Sequence, residues 1–553
     1  MKIKELVEPL RVVKRFVVYT AIAGMGAAGL NLTRPVLLGN IFEGFVKGDS
    51  YGSVMLLIIL FALSWCATWG LSLLLGYLST KVKERILARL RTAVLSHLMR
   101  LPYAQSEQLP TGKIQAYITS DLPLWSNLYG MILVQIVHSA AQLIGAVVTL
   151  LNVNSKLMII LVPFLAISAV IPLIFSRSMI RIHRFAQDAI SDTLEKSQCI
   201  IHGCRDIISL NIEKWCLKRC TEAFIKSENA EIKRSMAQGT VQVIGAFAEN
   251  AAYIVVLLIG GWSVFKDSMS VGHLVSFLAT IQLIFFPSRN AGDLASAIQS
   301  SLAAANRVQE FLSLKPMNEK YTLRTHIEIK NLSYTYPNER KKALDSISCE
   351  INQGYFVVIL GESGSGKSTL LKIIAGLYEP TEGEMITTGP NIGLPSAVWQ
   401  DPFLLNASVF DNLALGRDVS ERQMKDMAQK LNLDRLIAEM PNQYDTFLLE
   451  NGRNLSGGQR QRIAIIRSLI SSKKCIVIDE PTAGLDMENA RKVWDAILDM
   501  NKDVTRIVTT HQLDKTHEYA DLILVLQEGK LIEYGPPQEL LRMNGFFKKL
   551  MKR

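Results

Sequence analysis

Long apolar segments separated by polar stretches dominate the first 300 residues of the chain. Each is about twenty residues or longer, which is enough for an α-helix to cross about 30 Å of hydrocarbon. They cover residues 16–42, 51–79, 128–153, 157–175, 241–265 and 274–297. Six buried helices of a soluble protein are the alternative, but helices in soluble domains average only about 12 residues. The pattern therefore predicts an α-helical transmembrane domain with six spans in a lipid bilayer.

The connections between these segments alternate between short and long, and the charge follows that alternation. Lysine and arginine are concentrated before the first span and in the long connections over residues 80–127 and 176–240, whereas the short loops are nearly neutral. Because basic residues stay on the cytoplasmic side, we expect both termini and both long connections in the cytosol, at the cytoplasmic (inner) membrane. This asymmetry accounts for much of the net charge of +10, so no nucleic-acid partner is needed. We expect the long connections to be helical, with tips near residues 111–115 and 202–207, where glycine interrupts the pattern.

Polar residues within the third, fifth and sixth spans share helical faces rather than being scattered. They are Gln135, His138, Gln142, Gln242, Glu249, Gln282, Arg289 and Asp293. Ionisable groups at membrane depth usually face a bundle interior or a water-filled cavity. The alternative is that Glu249, Arg289 and Asp293 satisfy one another as packing contacts, and the sequence leaves both interpretations open.

Several cysteines and a histidine in the second long connection invite a metal or redox interpretation. They are Cys199, His202, Cys204, Cys216 and Cys220. Their spacing does not match the paired Cys-x-x-Cys arrangement of zinc sites, and amphipathic helices commonly bury cysteine. Both interpretations remain open at this point.

After a polar linker the pattern changes to short apolar strands alternating with helices, which is typical of a mostly parallel α/β domain. We expect the membrane domain to cover residues 1–312, the linker residues 313–326 and the second domain residues 327–553. The chain is thus predicted to be a helical membrane domain followed by an α/β domain.

A glycine-rich loop in the second domain follows an apolar strand at residues 356–360 and opens a helix at Thr369. Its residues are Gly361, Glu362, Ser363, Gly364, Ser365, Gly366, Lys367 and Ser368. Glycines let the backbone curl so that its N–H groups point at phosphate oxygens. Lys367 adds charge for the β and γ phosphates, and the Ser368 hydroxyl suits Mg²⁺. This phosphate loop predicts a P-loop NTPase domain that binds a nucleoside triphosphate.

A second apolar strand, at residues 475–479, ends in two carboxylates. We expect Asp479 to hold Mg²⁺ and Glu480 to orient and polarise the attacking water, since hydrolysis needs a base in line with the γ-phosphate.

The stretch Leu455-Ser-Gly-Gly-Gln-Arg-Gln-Arg462 carries the most specific motif, and with it the whole chain resembles the ABC transporter superfamily in its exporter-type half-transporter form. In that family the signature, here Ser456, Gly457, Gly458 and Gln459, closes over ATP held by the phosphate loop of another subunit. The resemblance therefore implies a dimer with a second half-transporter. Because all the motifs are intact, we expect a homodimer, although a heterodimer is not excluded.

Other positions match further elements of the family. Tyr336 resembles the aromatic residue that stacks on adenine, and Gln400 resembles the glutamine that reaches Mg²⁺. Glu450 resembles the acidic residue of the exporter coupling loop, and His511 resembles the histidine that contacts the γ-phosphate. Gly484, Leu485 and Asp486 resemble the loop that contacts the opposite subunit.

The resemblance implies ATP-driven export of an amphipathic substrate, such as a peptide, a lipid-linked molecule or a drug, by alternating access. Two alternatives stay open: an importer with the same architecture, for example for a metal chelate, and a non-transporting ATPase that regulates a membrane partner.

Overall fold

The computed structural model describes residues 3–317, 322–337, 339–511, 518–543 and 545–550. The side chains of residues 3–13, 172, 173, 176, 177, 288, 289 and 550 lie outside this description, so the expectation for Arg289 is among those not addressed. The chain divides into two compact units. Unit 1 comprises Met1–Met99 and Leu109–Leu314, and unit 2 comprises Arg100–Gln108 and Lys315–Arg553.

Helices account for nearly all of the first 314 residues. They are α1 (Ile3–Lys47), α2 (Tyr51–Leu98), α3 (Tyr103–Ser106), α4 (Thr111–Ala116), α5 (Leu122–Asn127), α6 (Leu133–Ser209), α7 (Glu213–Phe265) and α8 (Val271–Leu312), with π-helical turns at Tyr117–Asp121 and Leu128–Ile132. All but α3 belong to unit 1.

Five helical stretches of the described residues are long and apolar enough to cross a membrane. They are Lys14–Lys47, Tyr51–Leu98, Thr111–Ile171, Glu213–Phe265 and Val271–Leu312. The third contains the third predicted span and most of the fourth, and its 61 residues would measure about 90 Å, three times the hydrocarbon thickness. The fold class is as predicted, a helical membrane domain, while the count of six crossings stays a prediction.

Asn154 breaks this long helix. Its backbone is extended, with φ −161° and ψ 105°. Its side-chain oxygen accepts hydrogen bonds from the backbone N–H groups of Lys156 (3.1 Å) and Leu157 (3.2 Å). An asparagine in this arrangement caps the start of a new helix. The break therefore falls in the predicted short loop between the third and fourth apolar segments.

The predicted tips of the two long connections were wrong. In the first connection the helix ends at Leu98, and the chain turns between there and α4, with Pro102 and Pro110 preceding the short helices. In the second, α6 runs through Gly203 to Ser209 and the turn follows at Asn211, whose φ is +55°. A single glycine costs a helix only about 1 kcal/mol, whereas proline removes a hydrogen bond and clashes with the preceding turn.

Several polar residues of the spans bond to neighbouring helices. Gln142 is buried and donates to the carbonyl of Leu283 (3.2 Å), and His138 Nδ1 lies 3.0 Å from the carbonyl of Gly24. Asp293 accepts from Gln238 Nε2 at 2.8 Å. Each of these three side chains thus has a partner on a neighbouring helix, and the cavity-lining interpretation stays a prediction.

The cysteines of the second connection are free thiols that differ in exposure. The described residues contain no group of three or more His, Cys, Asp or Glu side chains that could hold a metal ion. Cys199 and Cys204 are exposed, whereas Cys220 is buried.

Unit 2 contains two β-sheets. An antiparallel sheet has the strand order β2-β1-β4, and a six-stranded sheet has the order β5-β6-β7-β3-β8-β9, in which only β9 is antiparallel. The strands are β1 (Leu323–Thr335), β2 (Lys342–Ile351), β3 (Phe356–Leu360), β4 (Glu382–Gly393), β5 (Ser396–Val398), β6 (Cys475–Asp479), β7 (Thr505–Thr510), β8 (Leu522–Gln527) and β9 (Lys530–Gly535).

Helices cover the six-stranded sheet, and every residue of β3, β6 and β7 is buried, as expected for parallel strands covered on both faces. The helices of unit 2 are α9 (Lys367–Ile374), α10 (Val409–Ala414), α11 (Glu421–Lys430), α12 (Asp434–Glu439), α13 (Gly457–Leu469), α14 (Met487–Leu498), α15 (Pro537–Arg542) and α16 (Phe546–Leu550), with single 3₁₀ turns at Gln443–Asp445 and Glu450–Gly452. The predicted α/β domain is confirmed.

Candidate functional site

Three parallel strands bring the predicted catalytic residues to one edge of the sheet. β3 pairs with β7, and β7 pairs with β6, all in parallel. The phosphate loop follows β3, Asp479 and Glu480 end β6, and His511 follows β7. Because parallel strands end at the same edge, residues far apart in the sequence meet there.

The phosphate loop has the backbone that its glycines predict. Gly364 and Gly366 have φ values of +80° and +99°, in the left-handed region that favours glycine. A Cβ at Gly366 would lie only 2.7 Å from the carbonyl oxygen of Ala343 and from a methyl group of Leu344. Gly366 precedes α9, so the N–H groups of the first turn of that helix are directed into the loop, where an anion is favoured.

Lys367 is buried within the loop. Its ammonium donates to the carbonyl oxygens of Gly361 (2.8 Å) and Glu362 (2.9 Å). Burial lowers the pKa of Lys367, and the negative charges of Glu480 and Asp479 act in the opposite direction. The lysine therefore lies within electrostatic reach of both carboxylates, although they come from a different strand.

Thr509 holds both Asp479 and Glu480, although it belongs to none of the sequence motifs. The Thr509 hydroxyl donates to Asp479 Oδ1 at 2.5 Å. The N–H of Glu480 lies 3.0 Å from that hydroxyl and 3.2 Å from the Thr509 carbonyl oxygen. Glu480 has a φ of +50°, a conformation that is uncommon for a residue with a side chain. Only a hydroxyl on the last residues of an apolar strand signals such a role in the sequence.

Two other predicted residues contact the Glu480 carboxylate. Gln400 Nε2 donates to Oε2 at 3.1 Å, and His511 Nδ1 lies 3.2 Å from Oε1. Each carboxylate oxygen thus has one partner, and the side chain is directed between Gln400 and His511. This arrangement suits a carboxylate that must be held in a defined position while it accepts a proton.

Tyr336 lies next to the first turn of α9. Its hydroxyl is 2.9 Å from the hydroxyl of Thr369, and its ring packs edge-to-face against Tyr334, with 5.1 Å between centroids. The predicted adenine-stacking residue is therefore close to the phosphate loop.

The signature residues form the exposed start of α13. Ser456 caps this helix by accepting from the N–H of Gln459 (3.2 Å), and the Gln459 side chain accepts from the N–H of Ser456 (2.8 Å). A Cβ on Gly458 would lie 2.7 Å from Leu485, whereas Gly457 faces open space. The signature thus packs against the loop that contains Gly484 and Asp486.

Asp486 caps the next helix, α14, by accepting from the N–H (2.8 Å) and from the side chain (2.7 Å) of Asn489. These hydrogen bonds lower the pKa of Asp486. Its predicted contact with an opposite subunit stays a prediction.

The structure therefore brings together one group of predicted residues and leaves another apart from it. Among the described residues, no hydrogen bond or ion pair joins residues 456–459 to residues 361–368, whereas Gln400, Glu480 and His511 meet directly. Glu450 is exposed at the start of its 3₁₀ turn. Ser363 and Ser368 are exposed on the phosphate loop, and Ser365 is buried.

Both parts of the chain match known protein families. The family model described as "ABC transporter transmembrane region" matches residues 17–288, and the family model described as "ABC transporter" matches residues 344–483. The chain is 27% identical to an ATP-dependent lipid A-core flippase of Haemophilus ducreyi, over 92% of this chain and 90% of that protein. It is 28% identical to a mitochondrial potassium channel ATP-binding subunit of Xenopus tropicalis, over 96% of this chain and 80% of that protein.

The fold also resembles a solved structure over nearly its full length. A bacterial Atm1-family ABC exporter with ATP bound superimposes with a TM-score of 0.83, at 21% identity, covering 98% of each chain. A membrane region and an ATP-binding region lie in one chain, so this is a multi-pass membrane protein that binds and hydrolyses ATP. The chain belongs to the ABC transporter superfamily and has the architecture of an exporter half-transporter.

Proposed function

We propose that the chain works as a homodimer that exports an amphipathic substrate by alternating access, with ATP hydrolysed at the interface between two subunits. The observation that carries the proposal is the position of the Glu480 carboxylate between Gln400 and His511, at the strand edge that bears the phosphate loop. Glu480 would accept the proton of the attacking water, and His511 would hold the γ-phosphate and the water in line.

The residues around the phosphate loop are suited to Mg²⁺. Ser368, Gln400 and Asp479 offer the hydroxyl, amide and carboxylate oxygens that this ion prefers. The metal would neutralise phosphate charge during hydrolysis. Lys367 would exchange its two backbone carbonyl partners for phosphate oxygens, because a charged oxygen is the stronger acceptor.

A second subunit is proposed because no hydrogen bond or ion pair of the described residues joins the signature to the phosphate loop. The N-terminus of α13 is exposed and carries the N–H groups of Gly457 and Gly458 together with a serine hydroxyl. A helix N-terminus of this kind favours an anion. We infer that it covers the γ-phosphate bound to the partner subunit, with Asp486 near the same interface.

An amphipathic substrate is supported by the polar positions within the spans and by the lipid A-core flippases among the relatives. The inner membrane and cytosolic ATP-binding domains follow from the distribution of basic residues. A second candidate is regulation of a membrane partner without transport, which is favoured by the similarity to mitochondrial potassium channel ATP-binding subunits.

Flux through the purified protein separates these functions. The chain is reconstituted in proteoliposomes, and the ATPase rate is screened with amphipathic peptides, glycolipids and cationic drugs. Transport of the best stimulant is then followed after external ATP is added, which reaches only the outward-facing ATP-binding domains. Export predicts accumulation in the lumen that is lost with Glu480→Gln. ATP-driven release from loaded vesicles would instead indicate an importer, and hydrolysis without flux of any stimulant would favour the regulatory function.

A further inference from the structure

Tyr378 is a buried tyrosine that no motif explains. It follows α9, where Gly376 (φ +73°) ends the helix and the N–H of Leu377 donates to the carbonyl of Lys372 (2.9 Å). Only 3% of the residue is exposed. A tyrosine buried to this extent needs a partner for its hydroxyl.

The partner is Glu107, which lies 271 residues earlier in the chain. The Tyr378 hydroxyl donates to one oxygen of this carboxylate, and Lys372 Nζ lies 3.5 Å from the other oxygen. Lys372 also donates to the Tyr378 hydroxyl at 3.2 Å. Burial and the hydrogen bond to Glu107 raise the pKa of Tyr378 far above its ordinary value, so the hydroxyl remains a donor.

Glu107 belongs to Arg100–Gln108, a segment that connects two helices of unit 1 but packs within unit 2. Tyr103 lies four residues before Glu107, on the same face of α3, and its ring centroid is 5.9 Å from that of Tyr378. Ala104 packs against the apolar core of unit 2, and the N–H of Met317 donates to the carbonyl of Arg100 (2.8 Å). The segment is thus fixed to the ATP-binding unit at several points.

Tyr378 also contacts Tyr334 of β1 and Tyr336, which follows that strand. Its ring stacks on Tyr334, with 5.0 Å between centroids and 5° between planes, and it meets Tyr336 edge-to-face at 5.8 Å. Tyr336 in turn contacts Thr369 of the first turn of α9 through its hydroxyl. One ring therefore touches both the α3 segment and the residue proposed to stack on adenine.

We propose that Tyr378 is a positioning residue for Tyr336, and that Glu107 orients Tyr378 through its hydroxyl, so that the α3 segment sets how well the site binds the adenine base. The inference rests on the proposed role of Tyr336. Tyr378 would not touch the nucleotide; it fixes the plane of the ring that does.

The test must separate positioning of the adenine ring from general damage to the phosphate loop, since Tyr378 also follows α9. ATP and inorganic tripolyphosphate make this separation, because both have a triphosphate group and only ATP has a base. The full-length protein is assayed for the KM of ATP and for inhibition by tripolyphosphate in the variants Tyr378→Phe, Glu107→Gln, the double variant and Tyr336→Ala. Tyr534→Phe is the matched control, since that tyrosine bonds through its hydroxyl to Glu350 on β2 instead.

We expect Tyr378→Phe to raise the KM of ATP about three- to tenfold, which is about 0.6–1.4 kcal/mol and lies in the range of the net contribution of one hydrogen bond. Glu107→Gln should give a smaller increase in the same direction. The kcat and the inhibition by tripolyphosphate should stay near those of the unmodified protein. Glu107→Gln keeps an amide oxygen that can accept from the Tyr378 hydroxyl and so only weakens this contact, whereas Tyr378→Phe removes it. The double variant should therefore be no worse than Tyr378→Phe alone.

Parallel weakening of ATP and tripolyphosphate, or additive effects in the double variant, would overturn the inference. If Tyr336→Ala raises the KM of ATP while the other variants do not, the inference alone fails. If Tyr336→Ala leaves the KM unchanged, the proposed adenine contact fails as well.

Discussion

At the scale of single residues, Glu480 combines an unusual backbone with a fully engaged side chain. Its φ of +50° places it in the left-handed region, which costs a residue with a side chain about 1–2 kcal/mol. Thr509 holds its N–H, while Gln400 and His511 hold its carboxylate. Strain of this kind persists where the surroundings over-determine it, commonly at functional sites. The geometry is suited to a base whose position must not vary.

Replacing Glu480 by glutamine should remove this base while keeping its shape. We expect the rate of phosphate release to fall about 10²- to 10⁴-fold, the usual contribution of a positioned general base, with ATP binding retained. Single-turnover hydrolysis and equilibrium ATP binding measure the two quantities.

Glu528→Gln is the matched control, because Glu528 also has a left-handed φ, +48°, but lies exposed in the turn between β8 and β9. Hydrolysis that survives in Glu480→Gln would assign the base to another residue.

The motif residues of the site were predictable because each carries its chemistry in its own side chain. Thr509 and Tyr378 were not, since their roles depend on partners that only the fold brings close. Thr509 reaches Asp479 across the pairing of β6 with β7, and Tyr378 reaches a carboxylate of a distant connection.

At the scale of elements, α11 and α13 begin in the same way and differ in surroundings. Ser420 with Gln423, and Ser456 with Gln459, each form a reciprocal cap between the first residue and the fourth. The cap alone therefore explains the serine and the glutamine of the signature structurally. A contact with phosphate is a second, separate role, and it is proposed for Ser456 and not for Ser420.

The variants Ser420→Ala and Ser456→Ala separate these two roles. Each should lower the free energy of unfolding by about 1 kcal/mol, the usual cost of losing a helix cap. Only Ser456→Ala should also lower the ATPase rate, because only that hydroxyl is proposed to reach the γ-phosphate. Thermal unfolding and phosphate release, measured on the same preparations, give the comparison. An equal loss of ATPase activity in both variants would attribute the effect to stability.

The elements of the membrane domain were predictable as far as apolar length determines them. The stop at Asn154 follows from a polar residue that can cap the next helix, and it fell where the sequence suggested. The predicted positions of the tips were wrong because a single glycine does not end a helix, as Gly203 within α6 shows. Pro102, Pro110 and the left-handed Asn211 mark the actual turns.

At the scale of the whole molecule, the proposed ATP site has two parts, the phosphate loop and the signature. No hydrogen bond or ion pair of the described residues joins them. Nothing in residues 456–459 says which subunit's phosphate they meet, so only the resemblance to a family predicted a dimer. The structure is compatible with a dimer, because the N-terminus of α13 is exposed and the described contacts give it no anion from its own chain.

Mixed dimers test this arrangement directly. Lys367→Ala removes the phosphate lysine, and Ser456→Arg blocks the signature, so neither homodimer has an intact site. In a dimer with one subunit of each kind, the site formed by the unaltered loop and the unaltered signature is complete. We expect co-expression, with two affinity tags to select mixed dimers, to restore ATP hydrolysis. Mixed dimers as inactive as their parents would place both parts of the site in one chain.

The membership of Arg100–Gln108 in the ATP-binding unit also affects how the protein is made. Glu107 leaves the ribosome 271 residues before Tyr378, a delay of about 14–54 s at 5–20 residues per second. During that time the segment connects two helices of the membrane domain, while the residues of the ATP-binding unit that it contacts have not yet been synthesised. The ATP-binding unit can complete its core only when the last third of the chain returns to a segment synthesised in the first fifth. A chain that ends before β1 therefore contains the segment Arg100–Gln108 without the surface that Tyr103 and Glu107 contact in the folded unit.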